Sequence, residues 1–355
     1  MKRPTPQLRA RQDKAADREL WKRRERRYKG YYFGLQVRRQ NADLPDRART
    51  SSLVQVVTLR FSGRLNIFSA PDETIGQLIQ LERVNIPNMT RTDLVIDLSR
   101  VEFIDACSLL FLASRAKAIS TRPFVRVYGS FPKSPKALTT LVDADFDSYV
   151  LGRPRRPPTG RKNVSLVESG KGAKKLVSGV IANDIKSFLV SRDHRLADDI
   201  EKADHIYGAV VECIENVRHH AYGDDDKRSE SKGWWAVGIY DEDTDVASVA
   251  ILDMGIGIAA SLGRKDPGRW GKLLGVPADL LDKASLGVWT ESSDPERGKG
   301  LKSLRDFAVD APNRRLHIVS SSGMLTCSKR EPSKRKSIEK LDGTIVCIQI
   351  GKWDK

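Results

Sequence analysis

The chain has 355 residues, 39% hydrophobic and 30% charged, enough for two domains of ordinary size that each bury a core. No apolar run reaches the roughly 20 residues of a membrane span, and the stretch after Met1 lacks the apolar core of a signal peptide. Four cysteines (Cys107, Cys213, Cys327 and Cys347) stand far apart without metal-ligand spacing, so reduced thiols in a cytoplasmic protein are expected.

The formal charge of +16 is uneven. Residues 1–50 carry 16 Lys/Arg against 6 Asp/Glu, densest over 21–29, with Tyr31, Tyr32 and Phe33 following. A nucleic-acid arm over residues 1–40 fits, because cations displace condensed counterions and aromatics stack on bases. A solvated tail, or a helix docked on an acidic partner, fits the same composition.

Residues 51–151 alternate short apolar strands with helices. Strands are predicted over 54–61, continuing over 63–67, then over 93–98 and 124–128. Helices are predicted over 71–81, opened by Pro71 and acidic residues, over 108–119 as an amphipathic element, and within 134–150. Strands separated by helices imply a sheet with helices packed on it. Residues 152–173 change character: Pro154, Pro157 and Pro158 interleave with Arg153, Arg155 and Arg156, which suits an extended linker.

The remainder, 174–355, opens with helices over 174–189 and 196–221. In the second, Ala203, Tyr207, Val210, Ile214 and Val217 form an apolar stripe, and Glu212, Asn216 and His219 fall on the opposite face. Strands over 234–240 and 246–252 flank an acidic turn at 241–245. An irregular stretch over 259–297 precedes a helix over 300–309, and strands over 316–320, 324–328 and 344–350 complete an α+β sandwich.

Three short motifs carry the chemistry. Glu212 and Asn216, four apart on a helix, project side by side: a carboxylate able to orient or deprotonate an attacking oxygen, and an amide oxygen able to ligate Mg2+. An exposed polar helix face has the same spacing. Asp253 ends a strand just before Gly255, Gly257 and Ile258; its carboxylate can accept an adenine amine, and the glycines allow close backbone approach. An ordinary strand-ending turn uses the same residues. Gly298, Lys299, Gly300 and Leu301 open a helix whose first amides favour phosphate, with Lys299 as an added point charge. No Gly-X4-Gly-Lys-Ser/Thr run is present, which excludes a Walker-type site.

In this order the motifs resemble the GHKL ATPase family of type II topoisomerases, heat-shock chaperones, histidine kinases and mismatch-repair ATPases. The resemblance covers roughly 174–351. It implies Glu212 as base, Asn216 as Mg2+ ligand, Asp253 with Thr344 recognising adenine, and Gly298, Gly300 and Leu301 wrapping the phosphates. Residues 260–297 correspond to the family's mobile ATP lid. The His219, His220, Ala221, Tyr222 ending is most similar to the anti-sigma-factor serine kinases. His220 fits a place near the phosphates or a packing role at a helix end.

Leu94 to Asp105 resembles the core of STAS domains, the fold of anti-sigma-factor antagonists, with a match over about 53–150. Cys107 stands where that family has its phosphorylated hydroxyl, and Ser108 lies one position late, rotated by about 100° on a helix. The expected architecture is therefore a basic arm (1–50), a STAS-like β/α regulatory domain (51–151), a linker (152–173) and a GHKL α+β sandwich (174–355).

The resemblance implies an ATP-binding regulatory protein with slow, Mg2+-dependent hydrolysis, whose lid closure alters how the STAS-like domain or the arm meets a protein partner. Two other readings stay open. One is a serine/threonine kinase acting on a separate STAS partner, the other a nucleic-acid-associated ATPase. The pattern permits a dimer and points to no membrane.

Overall fold

The computed structural model describes residues 32–33, 54–86, 91–152, 164–168, 207–208, 211, 233–241, 243–258, 260–261, 277–287 and 300–351. It is a mixed α/β protein built on two sheets. The first has strand order β1-β4-β3-β2, comprising β1 (Tyr32–Phe33), β2 (Gln55–Leu65), β3 (Thr92–Ile104) and β4 (Val125–Ser130). Strands β2, β3 and β4 run parallel, and β1 is antiparallel to β4. The second sheet is antiparallel throughout, in order β5-β6-β7-β9-β8. It contains β5 (Val164–Glu168), β6 (Trp234–Asp241), β7 (Val246–Asp253), β8 (Arg314–Cys327) and β9 (Ser333–Gly351).

Local chemistry sets the helices of the first half. Pro71 opens α1 (Pro71–Leu78), with Asp72 and Glu73 at its positive end. A break at Ile79 makes α2 (Gln80–Arg83) a separate turn, where one helix over 71–81 is predicted from sequence. Asp105 caps α3 (Ala106–Ser120): Oδ1 accepts the Ser108 N–H at 2.6 Å, while Oδ2 accepts the Ile67 N–H at 2.8 Å. Pro135 opens α4 (Pro135–Asp143), and Gly152, at φ +65, ends α5 (Phe146–Leu151).

Helix α3 corrects a sequence expectation. It is not amphipathic: Leu109, Leu110, Phe111, Leu112 and Ala113 are all fully buried. The helix packs on β4 on one side and on β6, β7 and β9 on the other, so both sheets cover it. Its core includes Phe61 on β2, Leu94, Ile96 and Leu98 on β3, and, from the second sheet, Trp235, Val237, Ala250, Leu252, Met254, Ile345 and Cys347. The two halves thus share one core. The alternate residues of that sheet, Trp234, Ala236, Val249, Ile251, Ile318, Val346 and Ile348, pack on its other face against α6 (Pro277–Ser285) and α7 (Gly300–Asp310). Covering on both faces explains why β7 reads as a nearly unbroken apolar run.

Polar contacts close the seam around the shared core. Lys136 meets Asp241 and Asp243 at 2.9 Å, Arg83 meets Glu339 at 2.6 Å, and Phe68 stacks on His317 at 4.0 Å. Three further expectations change. Residues 164–168, inside the stretch read as linker, form strand β5. The stretch 259–297, read as irregular, contains α6, with Leu280 and Leu281 fully buried. The strands expected over 316–320 and 324–328 are one strand, bent at Ser321, where φ is +54.

Candidate functional site

At the end of the second sheet, Asp253 on β7, Thr344 on β9 and Ser320 on β8 stand opposite one another, a row across three strands. Directly opposed residues share a sheet face. Asp253 is therefore on the side of Ile251 and Val346, which face α6 and α7. The carboxylate is half-buried, and its Oδ1 accepts the Gly255 N–H at 2.8 Å, the two-residue reach of an Asx turn. Burial pushes the Asp253 carboxyl up to about 6, against hydrogen bonds from Gly255 and Thr344 and the charge of Arg115, which pull it down.

Ser320 joins the loop after β7 to the start of the paired β9 segment. Its Oγ accepts the Ile258 N–H at 2.9 Å, donates to the Gly343 carbonyl at 3.2 Å and lies 3.3 Å from Thr344 Oγ1. Gly257 has φ +80, and a Cβ there would come within 2.7 Å of Ser320 Oγ. The loop can lie this close only because the position is glycine. Ile258 and Leu301 pack against the same core cluster as Ile251 and Val346, and so do Tyr207 and Val211. Gly300 is buried at the start of α7.

Asp253, Gly255, Gly257, Ile258, Gly300, Leu301 and Thr344 therefore gather around one face of one sheet. Glu212, Asn216, His220, Gly298 and Lys299 lie outside the described residues. Ser320 was missed by sequence reasoning. Its signal was a hydroxyl ending the apolar alternation of 316–320, which one strand in isolation does not distinguish from a turn residue. Chemically, a held carboxylate beside a hydroxyl offers an acceptor for an exocyclic amine and a donor or acceptor for a ring nitrogen.

Helix α6 is clamped to α7 and β9. Arg305 Nη1 meets Asp282 Oδ1 and Ser285 Oγ at 2.6 Å each, and Lys334 meets Asp282 at 2.6 Å and Asp279 at 3.0 Å. The Asp282 carboxyl is held below its ordinary value by these two cations, against the opposing effect of burial. A helix so fixed, with buried leucines, does not move as a free loop.

In the first half, Cys107 and Ser108 are both fully buried, Cys107 within the core shared with the second sheet. Burial also pushes the Cys107 thiol up, and Cys347 beside it adds to the effect. Among the described residues no group of three or more His, Cys, Asp or Glu is placed to hold a metal, and no helix is long and apolar enough to cross a membrane. No protein-family model, curated protein or solved structure matches the chain.

Proposed function

We propose that residues 174–355 form a GHKL-type ATP-binding unit and that the chain is a cytoplasmic ATPase with slow, Mg2+-dependent turnover, joined to a STAS-like unit. The observation that carries this reading is the row of Asp253, Thr344 and Ser320 beneath the Gly255–Gly257 turn. It supplies an acceptor for an adenine amine beside a turn whose glycines leave the backbone bare. In this reading Glu212 activates water and Asn216 ligates Mg2+, roles that rest on the sequence resemblance alone. Because α6 is clamped, ordering by ATP does not extend to Pro277–Ser285.

The burial of Cys107 and Ser108 argues against the STAS-like unit being a phosphoacceptor within its own chain. It acts instead as a fixed support, and a protein partner meets its outer surface or the arm at 1–40.

Thermal melting with Mg-ATP and with Mg-GTP tests the base preference. Ligand at about 100 times its Kd stabilises by roughly 2.7 kcal/mol, so an ATP-selective rise in Tm is expected. Asp253→Asn removes a charged acceptor of about 2 kcal/mol, and its ATP affinity is expected to fall about thirtyfold. Glu212→Ala is expected to keep the ATP-dependent rise and lose phosphate release. The absence of any adenine-selective shift in the wild type would overturn the reading, and labelled phosphate appearing on another protein instead of in solution would make the chain a kinase.

A further inference from the structure

Arg115 is the single charged residue among the first eleven positions of α3, the other ten of which are buried. Its side chain is only 12% exposed. One Nη pairs with the Glu82 carboxylate from α2 and also reaches the Asp342 carbonyl at 3.4 Å. Its Nε is buried and has no hydrogen-bond partner among the described residues. A buried, incompletely satisfied guanidinium is a poor device for stability alone.

The group that Arg115 reaches is the back of the candidate site. Asp342 precedes Gly343, whose φ is +92 and where a Cβ would lie 1.9 Å from the Asp253 carbonyl oxygen. Thr344 follows, opposite Asp253. The 342–344 segment is thus pressed onto the Asp253 backbone with no slack, and a cation holding Asp342 holds that contact. Arg115 also acts directly, since its charge lowers the Asp253 carboxyl. Glu82 and Asp342 are the charges that meet Arg115 in turn. Glu82 is pushed up to about 7, by burial first, then by Asp342, against the pull of Arg115.

We propose that Arg115 is a positioning residue through which the first half of the chain sets the place and charge of Asp253, and so tunes nucleotide affinity. The nucleotide part rests on the ATP-binding reading above. The effect on Asp253 does not.

The experiment has two arms on the full chain. The first follows the Asp253 carboxyl in the nucleotide-free protein by 13C NMR between pH 4 and 8, with Asp253→Asn to assign the signal. The second measures Mg-ATP affinity over the same range by calorimetry. An ionised Asp253 is the acceptor, so wild-type affinity is expected to fall as pH drops through about 6. Arg115→Met removes the cation. The midpoint is expected to move up in both arms, and affinity at pH 7 to drop several-fold. Arg115→Lys, which keeps the charge, is expected to restore most of the midpoint. Glu82, pushed up to about 7, is mostly protonated at that midpoint, so Glu82→Gln is expected to leave it in place.

A folded Arg115→Met protein with the wild-type midpoint overturns the proposal. If Arg115→Met fails to fold, an unmoved midpoint in Arg115→Gln, which keeps a polar group beside the Asp342 carbonyl and removes the charge, does so. A shifted midpoint without any ATP binding in the wild type leaves the proposal's effect on Asp253 standing and removes the nucleotide reading.

Discussion

A fragment comprising residues 174–355 alone is expected to be insoluble or to collapse without fixed packing. The reason is the shared core. Removing the first half uncovers Trp235, Val237, Ala250, Leu252, Met254, Val319, Leu341, Ile345 and Cys347, all buried in the intact chain. At about 1.5–3 kcal/mol for a large apolar side chain, the lost burial is of order 10 kcal/mol or more. That matches the whole stability of an ordinary domain, about 5–15 kcal/mol. Size-exclusion chromatography and near-UV circular dichroism read the result, with dye binding to exposed apolar surface as a third probe. Supplying residues 1–152 as a separate chain is expected to recover part of the soluble material. A monomeric fragment with a sharp near-UV spectrum and a cooperative melt would show that the seam contributes little.

Among the described glycines, Gly343→Ala is expected to be the most damaging added methyl. The added Cβ would meet the Asp253 carbonyl at 1.9 Å, and φ of +92 is a conformation that L side chains rarely adopt. Backbone strain of this kind costs about 1–3 kcal/mol before the steric overlap is counted. The relief must come from β7 and β9 moving apart at Asp253 and Thr344, so ATP-dependent stabilisation is expected to disappear together with several degrees of Tm. Gly76→Ala is the control. Gly76 lies in α1 with nothing beyond its own turn of helix within 4 Å of an added methyl, so alanine there is expected to stabilise by up to about 1 kcal/mol. Opposite signs from the same chemical change, measured by urea unfolding, separate local space from any general effect of a methyl.

Most elements were legible because each strand and helix carries its own periodicity. The β7 run and Asp253 after it could be read directly, and so could Thr344 at the start of an apolar strand. What the periodicity of one element cannot report is what covers its second face. Helix α3 was expected to have a polar side, since the strands β6, β7 and β9 that bury it arise more than 100 residues later in the chain. Arg115 and Ser320 escaped for the same reason: each matters through a residue distant in sequence. Helix α6 was hidden by a neighbourhood rich in Gly, Ser and Pro, although Leu280, Leu281 and Ala284 have helical spacing.

The distal part of β9 has a further consequence. Beyond the reach of β7, Ile338 is 84% exposed on a strand whose outer side would welcome another strand. Asp72 Oδ1 instead takes the Ile338 N–H at 2.8 Å and the Ser337 hydroxyl at 2.9 Å, so that donor is not offered to a neighbouring molecule. Those two bonds hold the Asp72 carboxyl below its ordinary value. The cap is therefore in place at neutral pH and is lost only as the pH falls through that lowered range, which ties the shielding of this strand edge to one carboxylate on α1.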